Sequence, residues 1–288
     1  MEGCITALIT PFIRGHIDEE GFLRNLDFQL DSGISGVLIL GTTGEAMTLS
    51  AKERARVIEL SVKKAKGKVP IIVGTGQNCT RSTIEFSKLA EDLGADMVSV
   101  VAPYYNKPTQ EGIFRHFKTI VESLSIPLMV YNIQSRVGVN IETETLIRIA
   151  ALPRVIAVKE ASGNLSQAGD VVNQIPHLSL FSGDDAFTLP MMALGAKGVV
   201  SVVSNLIPLE MGALVKAALD GKFEEAKKRH YQLLPLFKAA FLEVNPVPIK
   251  EAMNLVGFPA GDYRLPLCEM DVKNREKLRH VLREMGLV

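Results

Sequence analysis

Val155-Ile156-Ala157-Val158-Lys159-Glu160-Ala161-Ser162-Gly163 sets four apolar residues in consecutive positions and then turns polar. Val and Ile favour a strand, and a run without alternation leaves neither face of that strand to water. Strands buried on both faces belong to parallel sheets covered by helices. The signature recurs, so that strands are predicted over residues 4–9, 36–40, 70–73, 96–102, 126–131, 155–159, 178–181 and 198–202. Between them, segments such as 52–66, 83–94 and 112–123 carry apolar residues at spacings of three and four, the period of a helix. Ser50-Ala51-Lys52-Glu53 is a capping box at the head of one of them.

Eight strand-helix units in succession predict an α/β chain folded as a (β/α)8 TIM barrel, with a doubly wound open sheet as the alternative. After Asp220-Gly221 the strand signature stops, and helices are predicted over 222–241, 248–256 and 269–285. The chain therefore divides into a barrel, 1–220, and a C-terminal helical extension, 221–288. No flexible linker composition separates them, which predicts that the extension packs on the barrel.

Composition narrows the function. Of 288 residues 47% are hydrophobic, enough for a large core, and 32 basic residues balance 32 acidic ones. A balanced chain offers no electrostatic footprint for nucleic acid or a membrane surface, so small molecules or copies of itself are the expected partners. The three cysteines, Cys4, Cys79 and Cys268, are scattered and odd in number, which suits a reducing, cytoplasmic compartment. The five histidines include no short-spaced pair, which argues against a zinc or iron site. No apolar run approaches the ~18 residues of a membrane span.

Active sites of such barrels form at the carboxyl ends of the strands. Lys159 ends the sixth strand, and an amine held among Val and Ile side chains loses hydration, which lowers its pKa and makes it a nucleophile towards carbonyl carbon. Around it the other strands deliver Gly41-Thr42-Thr43-Gly44-Glu45, Gly74-Thr75-Gly76-Gln77-Asn78, Pro103-Tyr104-Tyr105-Asn106, Tyr131-Asn132 followed by Ser135-Arg136, and Ser182-Gly183-Asp184-Asp185. Thr42 and Thr43 offer hydroxyls to a carboxylate, Tyr131 can shuttle protons, and Arg136 can grip a second carboxylate bidentately. Each piece has a plainer reading: a common strand-to-helix turn for Gly-Thr-Thr-Gly, rim packing for Tyr104-Tyr105, and a helix start for Asp184-Asp185. Gly74-Thr75-Gly76 is no dinucleotide fingerprint, because Cys79 stands at its third glycine position. Their convergence on one end of one barrel favours the chemical reading.

These motifs, in this order and spacing, resemble the dihydrodipicolinate synthase and N-acetylneuraminate lyase superfamily over essentially the whole chain. The resemblance implies a lyase of class I aldolase type, needing no cofactor or metal, in which Lys159 forms a Schiff base with pyruvate. Tyr131 would then be the proton donor and acceptor, Thr42 and Tyr105 would complete a proton relay, and Tyr105 would reach the site of a neighbouring subunit. Thr43 would bind the pyruvate carboxylate, Arg136 the carboxylate of the incoming aldehyde, and Gly183 and Val200 would line the pyruvate pocket. The dihydrodipicolinate synthase branch is the nearest, implying aspartate 4-semialdehyde as second substrate, a role in lysine and diaminopimelate biosynthesis, and a homotetramer built as a dimer of dimers.

Residue chemistry supports that branch. A planar, permanently charged fork at Arg136 suits a carboxylated aldehyde better than a neutral amino sugar, and Asp184-Asp185 would repel a phosphorylated substrate. The alternative is a pyruvate-dependent aldolase acting on a 2-keto-3-deoxy sugar acid or sialic acid. Two departures stand out. Gln134 replaces the proline usual in the fifth loop, which predicts a looser seat for Arg136. Ala51, Arg54 and Ser82 replace the two histidines and the glutamate of members inhibited by lysine, at a site that would also involve Ala46, Met47, Asn78 and Tyr104, which predicts weak or absent lysine inhibition.

Overall fold

A computed structural model describes residues 1–288. Its principal strands are β1 (Gly3–Ala7), β2 (Gly36–Ile39), β3 (Ile71–Gly74), β4 (Met97–Val101), β5 (Leu128–Asn132), β6 (Val155–Glu160), β7 (Ser179–Ser182) and β8 (Gly198–Ser201). All are parallel, and β1 pairs with both β2 and β8, so the sheet closes into a barrel and the open-sheet alternative falls. Helices follow the strands in turn: α1 (Glu19–Asp31), α2 (Ala51–Ala65), α3 (Thr80–Asp92), α4 (Gln110–Glu122), α5 (Thr143–Ala150), α6 (Leu165–Gln174), α7 (Thr188–Ala193) and α8 (Pro208–Leu219). The capping box heads α2 as expected, with Glu53 N–H donating to Ser50 Oγ and Ser50 N–H to Glu53 Oε2.

Strand ends depart from expectation for local reasons. Ile9 leaves β1 because its N–H bonds the Asn205 side chain, and Leu40 leaves β2 because its backbone turns left-handed, φ 55°. An antiparallel pair of short strands, Phe12–Ile13 with His16–Ile17, stands apart from the barrel sheet, and Phe12 bridges to Gly261 of the extension.

A strand has two faces, and here both are buried. Ile5, Ala7, Leu38, Ile72, Met97, Met129, Ala157, Phe181 and Val200 form one cluster inside the barrel, while a larger one fills the space between strands and helices. Because successive side chains alternate, a residue two beyond an interior one also points inward. Lys159 follows Ala157, Tyr131 follows Met129 and Gly183 follows Phe181. Two-residue periodicity thus carries the lysine to the centre of the mouth.

Beyond α8 the extension consists of α9 (Phe223–Ala239), α10 (Val247–Val256) and α11 (Val272–Glu284), with α9 packed on α8 and α7, and α11 on α9 and α10. The connectors on either side of α10 reach the mouth, where Asn245, Pro246, Pro266 and Leu267 line its cavity. No helix is long and apolar enough to cross a membrane.

Candidate active site

Lys159 and Tyr131 are register partners across β6 and β5, and the lysine nitrogen stands 4.4 Å from the centroid of the tyrosine ring. Burial pulls the amine from 10.5 down to about 8; the nearby Asp185 carboxylate resists this and the Arg136 charge adds to it. A useful fraction of the amine is therefore neutral and nucleophilic in mildly alkaline water. Gly183 leaves the space that the lysine stem fills, since a Cβ there would lie 2.7 Å from Ala161 Cβ and 3.0 Å from Lys159 Cε.

Burial also pushes the Tyr131 phenol up to about 12, against the Arg136 charge and the Thr42 hydroxyl, so it keeps its proton at neutral pH. Thr42 and Thr43 sit in the turn after β2. Thr43 Oγ1 accepts a hydrogen bond from Asn245 Nδ2 at 3.0 Å, and Arg136 Nη2 donates to the Asn245 carbonyl at 3.0 Å. Arg136 rides on a short helical turn, Gln134–Val137, closed by Gly138 in the left-handed region. Gln134 opens this turn, at a position where a helix leaves the N–H without a helical partner.

Lys159, Tyr131, Thr42, Thr43 and Arg136 thus line one cavity of about 300 Å³. Gly183 and Val200 do not line it. Gly183 backs the lysine stem, and Val200 lies in the interior cluster below. Tyr105 stands apart at 89% exposure, with φ 72°, on the outer surface of its own chain.

Three buried residues around the site, Asp185, Asn245 and Glu160, had been given no part in catalysis or substrate binding. Asp184 caps the turn Asp185–Phe187, whereas Asp185 turns inward and accepts N–H bonds from Val202 and Val203 at 3.0 and 3.1 Å. Burial pushes its carboxyl from 3.8 up to about 6. Asn245 belongs to the extension and meets Thr43 across 202 positions of sequence, a contact no local pattern announces. Behind the lysine, buried Glu160 accepts from Asn132 Nδ2 at 3.0 Å and Ser162 N–H at 2.6 Å, which stiffens the ends of β5 and β6.

A model of the dihydrodipicolinate synthetase family matches residues 1–285. A 4-hydroxy-tetrahydrodipicolinate synthase of Protochlamydia amoebophila (strain UWE25) is 48% identical over 290 residues, covering 99% of this chain and 97% of that protein. The protein of the same name from Methanocaldococcus jannaschii is 46% identical, covering 100% of this chain and 99% of its own. Among solved structures, dihydrodipicolinate synthase from Aquifex aeolicus superposes with a TM-score of 0.98 at 44% identity, covering 100% of this chain and 99% of that one. A monomeric dihydrodipicolinate synthase variant, described as the first of its kind, matches with the same TM-score, 0.98, at 41% identity, covering 100% and 98%.

Proposed function

Because the chain belongs to the dihydrodipicolinate synthetase family, we infer that it is a lyase that condenses pyruvate with L-aspartate 4-semialdehyde. The product is 4-hydroxy-tetrahydrodipicolinate, on the route to diaminopimelate and lysine. The observation that carries a mechanism is the buried amine of Lys159 facing Tyr131 in the cavity that also holds Thr42, Thr43 and Arg136.

We propose the following roles. The neutral Lys159 amine adds to C2 of pyruvate, and the carbinolamine loses water with a proton supplied by Tyr131, giving an iminium ion. Loss of a C3 proton yields an enamine whose carbon attacks the aldehyde of the semialdehyde. The amino group of the second substrate then displaces Lys159 from C2 and closes the ring, so one water is released overall. Thr43 holds the pyruvate carboxylate, Arg136 the carboxylate of the semialdehyde, and Thr42 orients the Tyr131 phenol. Gly183 leaves room for the Lys159 stem, and Val200 packs in the interior cluster.

Tyr105 is proposed to complete the proton relay of a neighbouring subunit. Its support is its exposure, 89%, on a non-glycine residue held in left-handed backbone outside its own cavity. That role requires a homo-oligomer, which we propose to be a tetramer of two dimers. A cytoplasmic location is proposed from the free thiols of Cys4, Cys79 and Cys268. The proposed division into a catalytic barrel, 1–220, and an extension, 221–288, is supported by its position between α8 and α9.

The test compares kcat/KM for aspartate 4-semialdehyde, N-acetylmannosamine and glyceraldehyde with pyruvate, using Lys159→Ala as control. The expected result is a preference of several orders of magnitude for the semialdehyde, lost in the variant. A preference for a sugar aldehyde would leave the Schiff base standing and reassign Arg136.

A further inference from the structure

Two non-glycine residues in left-handed backbone, Leu40 (φ 55°) and Glu45 (φ 52°), bracket the Thr42-Thr43 turn. Such backbone persists only where its surroundings over-determine it. Leu40 is accommodated by Gly74, whose missing Cβ leaves room for the Leu40 carbonyl. Glu45 is held by its side chain. Its Oε1 accepts from Lys250 Nζ at 2.7 Å, and both side chains are wholly shielded from solvent.

Lys250 belongs to α10 of the extension. Its ammonium also donates to the Asp262 carbonyl and lies 4.6 Å and 5.2 Å from the ring centroids of Phe12 and Tyr263. The second carboxylate oxygen of Glu45 is buried without a partner, so Lys250 alone among side chains hydrogen-bonds this carboxylate. Apolar residues of the same size often serve as well as or better than a sealed ion pair, so the pair is weak evidence for stability and its best-attested use is to specify a geometry. The geometry at stake is that of the turn, because Glu45 N–H closes it onto the Thr42 carbonyl at 3.1 Å and Glu45 itself lines the cavity.

We propose that Lys250 is a positioning residue for pyruvate: by tethering Glu45 it fixes the strained turn that aims Thr43 at the substrate carboxylate. The proposal rests on the reading of Thr43 as the carboxylate-binding residue. It makes the helical extension part of the substrate-binding apparatus although Lys250 touches no substrate.

Removing one member of the pair leaves a bare buried charge that endangers folding, so the charge-neutral Lys250→Met/Glu45→Gln double variant and the shortened Glu45→Asp variant carry the test. Steady-state kinetics would be measured for both substrates, together with borohydride trapping of the pyruvate adduct and thermal unfolding. The expected result is a pyruvate KM, and a half-saturation in trapping, raised about tenfold with the semialdehyde KM unchanged. A merely structural pair would lower Tm and leave both KM values of the folded protein alone, which overturns the proposal. If the double variant does not fold, Glu45→Asp decides by the same readout. Thr43→Val separates the two layers: an unchanged pyruvate KM there sinks the Thr43 reading, whereas a raised KM there with normal values in the pair variants sinks the role of Lys250.

Discussion

The side-chain nitrogen of Lys159 stands 4.4 Å from the centroid of the Tyr131 ring, on residues that are direct partners in adjacent parallel strands. A phenol on the neighbouring strand is within reach of any group bonded to that nitrogen, while the ring itself walls the amine from water. Tyr131→Phe keeps the wall and removes the proton. The expected outcome is a kcat lowered by ~10²–10⁴ with slow but measurable borohydride trapping of pyruvate. Trapping and turnover at normal rates would remove Tyr131 from the proton path.

The titration of Lys159 sets the pH dependence. With its amine at about 8, kcat/KM for pyruvate should rise with unit slope as pH approaches that value from below and then level off. Stability follows the opposite face of the same shift. The folded-state value is depressed below 10.5, so between about 8 and 10.5 the unfolded chain binds the extra proton and the contribution to stability rises with pH. Below about 8 the penalty is fully present. Lys159→Met should therefore raise Tm at pH 7 by roughly a few degrees, with the gain shrinking as pH rises from about 8 towards 10.5. A variant less stable than the parent at pH 7 would contradict this.

Asp185 opposes the depression of the Lys159 amine. Asp185→Asn keeps an acceptor for the Val202 and Val203 N–H groups and removes the charge. The acidic limb of the pyruvate kcat/KM profile should move to lower pH. An unmoved limb would show that the carboxyl is already neutral when the lysine reacts.

Gly183→Ala tests how closely the lysine stem is fitted. The added carbon would lie 2.7 Å from Ala161 Cβ and 3.0 Å from Lys159 Cε, closer than side chains tolerate. Displacing the amine by a fraction of an ångström to an ångström should cost kcat about 10²-fold while the protein still folds. Near-normal kcat would mean that the stem shifts freely.

Arg54 bears on regulation. Its guanidinium is buried, donates to the Ala46 and Leu49 carbonyls at 2.6 and 3.2 Å, and lies 4.2 Å from the centroid of the Phe86 ring with no carboxylate partner. An ammonium arriving beside it would meet an unpaired like charge. L-Lysine is expected to inhibit weakly or not at all, and strong sub-millimolar inhibition in a rate titration would overturn that.

The eight consecutive-apolar strands and the cap at Ser50 were legible because a strand buried on both faces and a helix start each write a local pattern. Lys159, Tyr131, Thr42, Thr43 and Arg136 were legible because barrel chemistry gathers where strands end, and each of these follows or ends a recognisable strand. Strand ends were less legible. Ile9 has strand composition but loses its pairing to the side chain of Asn205, which lies far along the chain.

What the sequence determined by itself was therefore the barrel and which side chains gather at its mouth, since side-chain period and residue type are local properties. Only the tertiary structure decided what holds the residues of the mouth in place: Asp185 bonded to the Val202 N–H, Asn245 bonded to Thr43, and Lys250 sealed against Glu45. These are contacts between residues on different elements, and in two of them the partners are more than two hundred positions apart. Local pattern carries no record of them, because they come into being when the barrel closes and the extension folds across its mouth.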